Sequence, residues 1–236
     1  MAQITIIPIL QDNYVYAVES EGEIALIDCG EAAPLLGWLE ARPLQKILIT
    51  HHHNDHCGGT VEVKEKTGAR VFASNLEVSL INGCDQGLED GEIIPVGALR
   101  FKVIHTPGHT LGSICFYEAT QNWLFTGDTL FSTGCGRLFE GTHQQMYDSL
   151  QIIKSLPDET QIFCGHEYTL SSAYFAMHVD PDNSDLQERL SEARSLMRQQ
   201  KPTLPVTLAS EKKTNPFLRA PDLKTFTKLR LEKDIF

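Results

Sequence analysis

No apolar run in this sequence approaches the roughly 20 residues that a membrane-spanning helix needs. The opening Met1-Ala2-Gln3-Ile4-Thr5 lacks the basic leader and apolar core of a secretory signal. A cytoplasmic protein with no membrane partner is the expectation. Positive charge is also scarce: 20 Lys and Arg stand against 31 Asp and Glu, a formal net charge of -11, with no long basic block. Phosphate backbones need a basic face, so nucleic acid is disfavoured as a partner. The six cysteines include no CxxC pair, which argues for reduced thiols rather than a disulfide frame or thiolate-held zinc. A metal would then be held by nitrogen and oxygen. Low-complexity tracts and short internal repeats are missing as well, while a hydrophobic content of 42% over 236 residues is enough for a folded core.

Against those absences stands one dense stretch, Thr50-His51-His52-His53-Asn54-Asp55-His56, directly after the apolar Lys46-Ile47-Leu48-Ile49. If the strand continues through it, side chains alternate in direction, so His51 and His53 point one way and His52 the other. Asp55 and His56 come where the chain must turn, before a helix expected from Gly58 to Lys66, and a turn can aim both at a second ion. Two ligand pairs are the reading.

The order of elements is that of an α/β protein. Strands are predicted at 14–18, 23–28, 46–50, 70–73, 99–104, 113–117, 123–126 and 161–164, with helices at about 32–41, 58–66 and 144–156. Alternation on this scale suggests two face-to-face sheets with helices outside, a four-layer αββα sandwich. From about residue 170 the pattern turns helical and polar, with helices predicted over 186–200 and 221–233. The division expected is a catalytic domain over 1–169 and a helical domain over 170–236.

Three more strand tips deliver metal-capable side chains: 101–104 runs into His105 and His109, 123–126 into Asp128, and 161–164 into His166. Counted together, His51, His53 and His109 serve one ion, Asp55, His56 and His166 the other, and Asp128 has two oxygens with which to bridge them. Asp28, at its own strand end, is the candidate carboxylate for orienting a ligand imidazole. His52, His105, His143 and His178 have no partner spacing and are read as structural.

This ligand set resembles the THxHxDH, later His, later Asp, final His pattern of the metallo-β-lactamase superfamily. Within it the chain resembles the glyoxalase II, or hydroxyacylglutathione hydrolase, family. The stretches that carry this are Thr106-Pro107-Gly108-His109-Thr110-Leu111-Gly112-Ser113, Phe125-Thr126-Gly127-Asp128-Thr129-Leu130-Phe131, Gly134-Cys135-Gly136-Arg137, Phe139-Glu140-Gly141-Thr142, Gly165-His166-Glu167-Tyr168-Thr169 and Arg230-Leu231-Glu232-Lys233-Asp234. The resemblance implies an αββα sandwich with a small helical domain, and Arg137, Tyr168, Arg230 and Lys233 as contacts to glutathione, whose carboxylates suit guanidinium and ammonium groups. Phe139 stands where many members carry tyrosine, so a hydroxyl contact is lost there.

The chemistry follows from the ligands. Two divalent ions per chain, zinc first with iron and manganese as alternatives, would lower the pKa of water to about 7 and polarise a carbonyl. Asp55 and Asp128 would then be catalytic as well as ligating, sharing a site with a metal-bridging hydroxide. A thiol leaving group of pKa about 8.5 departs without a strong general acid, which suits a thioester. The expected reaction is hydrolysis of S-(2-hydroxyacyl)glutathione, chiefly S-D-lactoylglutathione to D-lactate and glutathione, a step of methylglyoxal detoxification, by a monomer. The rivals are a mononuclear iron glutathione-persulfide dioxygenase and another hydrolase of the same fold.

Overall fold

The structure, a computed structural model, describes residues 2–236. The chain divides into two units, one made of the residues up to His105 with Gly112–Gln121, the other of Thr106–Leu111 with Asn122–Phe236.

The first unit begins with a meander of β1 (Gln3–Ile9), β2 (Asn13–Ser20) and β3 (Glu23–Ile27), paired antiparallel. The β2–β3 turn carries Glu21 at φ 51° and Gly22 at φ 84°, the two positive values that a tight two-residue hairpin turn requires. β3 then pairs parallel with β4 (Lys46–Leu48) through the crossover helix α1 (Ala32–Leu39). After the short helix α2 (Asn54–Cys57) and α3 (Thr60–Thr67), β5 (Arg70–Ser74) and β6 (Gln86–Leu88) extend the sheet in parallel. Leu26, Ile47, Ile49, Val63 and Val71, among others, form its apolar core. Each such buried side chain is worth about 1.5–3 kcal/mol relative to exposure. An antiparallel set of β7 (Ile93–Val96), β8 (Leu99–His105) and β9 (Ile114–Glu118) completes the unit.

The second unit holds β10 (Trp123–Gly127), the two-stranded ribbon of β11 (Leu130–Phe131) and β12 (Gly134–Cys135), and helix α4 (His143–Lys154). Thr142 and Gln145 form a capping box at the start of α4, satisfying two backbone donors reciprocally. β13 (Gln161–Cys164) pairs parallel with β10. Helices α5 (Thr169–Val179) and α6 (Ser184–Arg198) follow, the latter capped by Asn183. β14 (Val206–Thr207) returns antiparallel to β13, and α7 (Leu208–Thr214), α8 (Pro216–Arg219) and α9 (Leu223–Lys233) close the chain.

Three expectations near the histidine cluster are corrected. The strand predicted over 46–50 ends at Leu48, because the Thr50 N–H leaves the ladder for the Asp28 carboxylate at 2.7 Å. Asp55 and His56 lie on α2 rather than in a turn, and the next helix opens at Thr60, not Gly58. At the far end, the helix predicted from Pro221 begins at Leu223, since Asp222 is extended and caps the Thr225 N–H.

Candidate active site

In the first unit the candidate ligands crowd around one buried carboxylate. Asp28 stands at φ 66°, a strained backbone for a non-glycine residue. Its Oδ1 accepts the Thr50 N–H at 2.7 Å, and its Oδ2 accepts both the Thr50 hydroxyl at 2.9 Å and His56 Nδ1 at 2.8 Å. With its hydrogen committed to Asp28, the Thr50 oxygen receives His51 Nδ1 at 3.1 Å. One charge therefore orients two imidazoles, one directly and one through a hydroxyl. In both rings Nδ1 carries the proton and Nε2 keeps a lone pair, as metal ligation requires.

His51 Nε2 lies 3.1 Å from His53 Nδ1, and the rings of His51 and His56 are 4.1 Å apart. Asp55 receives the Asn13 amide at 2.8 Å and stands 3.4 Å from His56 Nε2. Gly30 permits this packing, because a Cβ there would lie 1.8 Å from the Asp55 carbonyl oxygen. His52 points elsewhere, its Nδ1 3.1 Å from the buried Glu77. His51 and His53 thus lie together and His52 apart although the strand has ended, with the Ile49 N–H still on the Phe72 carbonyl at 2.8 Å and the Thr50 N–H on Asp28. The Cys57 thiol donates to the His52 carbonyl, and burial pushes its pKa up to about 11.

In the second unit two candidate ligands, His109 and His166, stand beside a third, Asp128. His109 Nε2 is 3.4 Å and His166 Nε2 3.3 Å from Asp128 Oδ2. Here the orienting acceptor is a backbone carbonyl, that of Arg137, 2.7 Å from His109 Nδ1. His166 stacks on Tyr168 with ring centroids 4.5 Å apart and planes 8° from parallel. Gly136 is required by proximity, as a Cβ would meet the Asp128 carbonyl oxygen at 1.9 Å and His109 Nδ1 at 3.2 Å.

The residues assigned to glutathione all belong to this second unit. Phe139, 62% exposed, meets His109 edge-on at 5.3 Å, and the Arg137 guanidinium lies 6.0 Å from its ring. Arg137 is largely exposed, with Nε 3.6 Å from Asp234. Lys233 lies over the Phe175 ring and donates to the Ser171 carbonyl; burial and the neighbouring Arg230 lower its pKa. Arg230 is buried, its guanidinium on the Cys135 carbonyl at 2.8 Å and on Asp234 at 3.1 Å. His143 packs against Phe226 and His178 lies beside Glu232, in keeping with structural roles. Glu77 was not foreseen; a glutamate in a polar segment carries no signal of burial until its partners, His52 and the Gly112 N–H, are known.

The donors are imidazole nitrogens and carboxylate oxygens, and the Nδ1 atoms of His51, His56 and His109 are bonded on their far sides, so the residues present fit divalent metal ions. The metallo-beta-lactamase superfamily model matches residues 10–166, and the hydroxyacylglutathione hydrolase C-terminus model matches 167–236. The hydroxyacylglutathione hydrolase of Pseudomonas savastanoi pv. phaseolicola is 50% identical over 93% of this chain and 86% of its own length. That of Rhodopseudomonas palustris is 46% identical over 93% and 88%. Among solved structures, ETHE1 from Myxococcus xanthus aligns with a TM-score of 0.73 at 26% identity, over 98% of this chain and 90% of its own. TTHA1623, solved in a di-iron-bound form, aligns at 0.67 and 26% over 91% and 99%. The α/β sandwich with a helical C-terminal region is the fold of these neighbours. The chain belongs to the hydroxyacylglutathione hydrolase family of the metallo-β-lactamase superfamily.

Proposed function

We propose that the protein hydrolyses S-(2-hydroxyacyl)glutathione thioesters, with S-D-lactoylglutathione as the leading substrate and D-lactate and glutathione as products. In this reading His51, His53 and His109 would hold one divalent ion and Asp55, His56 and His166 a second, with Asp128 as a further carboxylate ligand; both of these groups of three, and His51 with His56 and Asp128, bring their ligand atoms within 4.8 Å of one another. Zinc is the first choice, with iron and manganese served by the same donors. What carries the reading is the 50% identity to a hydroxyacylglutathione hydrolase, together with imidazoles whose Nδ1 atoms are already tied to Asp28, Thr50 and the Arg137 carbonyl. Residues 1–169 would supply the ligands, and residues 170–236 would add Lys233 to the glutathione end, with Arg230 turned onto the backbone beneath it.

Bound divalent ions supply a deprotonated nucleophile at neutral pH and a Lewis acid for the thioester carbonyl. The chain does the positioning. Asn13 fixes the Asp55 carboxylate and Asp28 fixes His56 and, through Thr50, His51. Arg137 and Lys233 receive the glutathione carboxylates, Tyr168 and Phe139 border them with ring faces and edges, and Arg230 holds the backbone beneath. Because a thiolate leaves readily, no protonated side chain has to meet the sulfur. Within the cell the reaction would serve methylglyoxal detoxification in the cytoplasm, by a monomer.

The test is to purify the protein with its metals, count ions per chain, and compare S-D-lactoylglutathione hydrolysis with persulfide-dependent oxygen uptake. Two ions with hydrolysis are expected. One iron with oxygen uptake and no hydrolysis would replace this reading with a dioxygenase.

A further inference from the structure

Three buried polar side chains of the helical region have no part in the proposed site. Glu211 on α7 and Asn215 after it are fully buried, and Arg189 on α6 nearly so. All three are turned onto the β11–β12 ribbon. Glu211 accepts the Thr133 N–H at 2.8 Å and the Ser132 hydroxyl at 3.2 Å. The Asn215 amide donates to the carbonyls of Gly134 at 2.9 Å and Phe131 at 3.2 Å, and to Glu211 at 2.9 Å. Arg189 adds a donor to Ser132 Oγ at 3.2 Å and one to the Thr203 carbonyl at 2.8 Å. Backbone groups on both strands and the turn of the ribbon are thus satisfied by side chains from 78 or more residues away in sequence. The turn itself is strained, with Thr133 at φ 57°. Desolvation pushes the Glu211 carboxyl up to about 7, against the pull of Asn215, Thr133, Ser132 and Arg189. Such a group is retained only where its hydrogen bonds are needed.

The ribbon lies between two groups that matter. Asp128 precedes it by two residues and Arg137 follows it by two. The Arg137 carbonyl is also the acceptor that orients His109, and the Gly136 N–H returns to the Thr129 carbonyl. A shift of the ribbon backbone therefore displaces the Arg137 side chain and the His109 acceptor together. We infer that Glu211 and Asn215 are positioning residues, a buried clamp by which the C-terminal helices set the ribbon that presents Arg137 to glutathione. The clamp deepens the proposed function and rests on it for the identity of the ligand, but the clamp's mechanical part stands on the hydrogen bonds alone.

The experiment pairs amide hydrogen exchange with direct binding of glutathione and with steady-state kinetics, on the metal-loaded wild type and on Asn215→Ala, Glu211→Leu, Glu211→Gln and Leu186→Ala. Leu186 is buried in an apolar cluster with Ala173, Ala176 and Leu190 and makes no part of the polar clamp, so it controls for loss of stability alone. In the wild type, the Thr133 and Gly136 amides should be protected to the level of β10 amides. Asn215→Ala and Glu211→Leu should raise exchange over 129–137 at least tenfold, weaken glutathione binding about tenfold and raise KM by a similar factor with a smaller change in kcat. Glu211→Gln, which keeps an acceptor for the Thr133 N–H, should recover most of the affinity. Leu186→Ala should lower the unfolding midpoint and leave KM unchanged. A Thr133 amide exchanging at loop rates in the wild type overturns the clamp even if no variant folds. So does increased exchange with glutathione affinity intact, or a KM rise in Leu186→Ala equal to that of Asn215→Ala. Failure of wild-type protein to bind glutathione or cleave its thioester would instead strike the proposed function, with exchange still deciding whether the ribbon is clamped.

Discussion

The two ligand-bearing regions solve the same problem in different ways. Around His51 and His56 the orienting acceptor is a side chain, the Asp28 carboxylate, reached directly or through Thr50. Around His109 it is a main-chain carbonyl, that of Arg137, on a segment the C-terminal helices hold in place. A carboxylate acceptor raises the basicity of the imidazole it binds, whereas a neutral carbonyl chiefly fixes its direction. The first region is thus sensitive to single side chains, and the second to whatever moves a backbone.

The sharpest way to break the comparison is at Asp128, on which His109 and His166 both converge. Asp128→Ala should lower turnover roughly a thousandfold or more and deplete bound metal while the circular dichroism stays native. Near-normal activity with full metal content would remove Asp128 from the centre. A second test probes the clamp through pH. The Glu211 carboxyl is raised from 4.5 to about 7, so the folded state binds the extra proton and stability should fall as pH rises between those values. The loss reaches roughly 3 kcal/mol and levels off above pH 7. Denaturant unfolding at pH 5 and pH 8 should show this slope in the wild type and its disappearance in Glu211→Gln; an identical slope in both would assign it to another group.

Asp28→Asn examines the first region directly. Zinc affinity, read by competition with a chelator, should drop about 10–100-fold, the usual cost of removing an orienting partner of a ligand histidine. An unchanged affinity would make the difference between the two regions one of appearance only. The smallest effect is expected at Lys233. Lys233→Ala should raise KM about tenfold, the order of one charge-assisted hydrogen bond, with kcat held. A collapse of kcat at saturating substrate would show that Lys233 does more than hold.

Much of the first region could be read from the chain because its ligands are contiguous. Thr50 to His56 fall within seven residues, and local spacing constrains where they point. Strand period alone does not reach them, since the last sheet-type bond is that of the Ile49 N–H to Phe72 and Asp28 takes the Thr50 N–H. The link between Asp28 and His56 spans 28 residues, a separation that propensity and period do not address. Short elements were missed for a related reason: β11, β12 and β14 have two residues each and show no periodicity. Glu211 was hidden by its neighbours. In Ser210-Glu211-Lys212-Lys213 it looks like one charge on a solvated helix face, and burial against the ribbon reverses that reading.

The sequence by itself determined the ligand types, the family and the α/β order of elements, because strand periodicity, turn chemistry and motif spacing are local properties of the chain. Tertiary structure alone decided what the Nδ1 atoms of His51, His56 and His109 are bonded to, that Arg230 is turned onto the backbone at Cys135, and that a carboxylate on α7 holds the ribbon after Asp128. Those outcomes depend on hydrogen bonds between distant residues, whose strength comes from burial that only the folded chain creates.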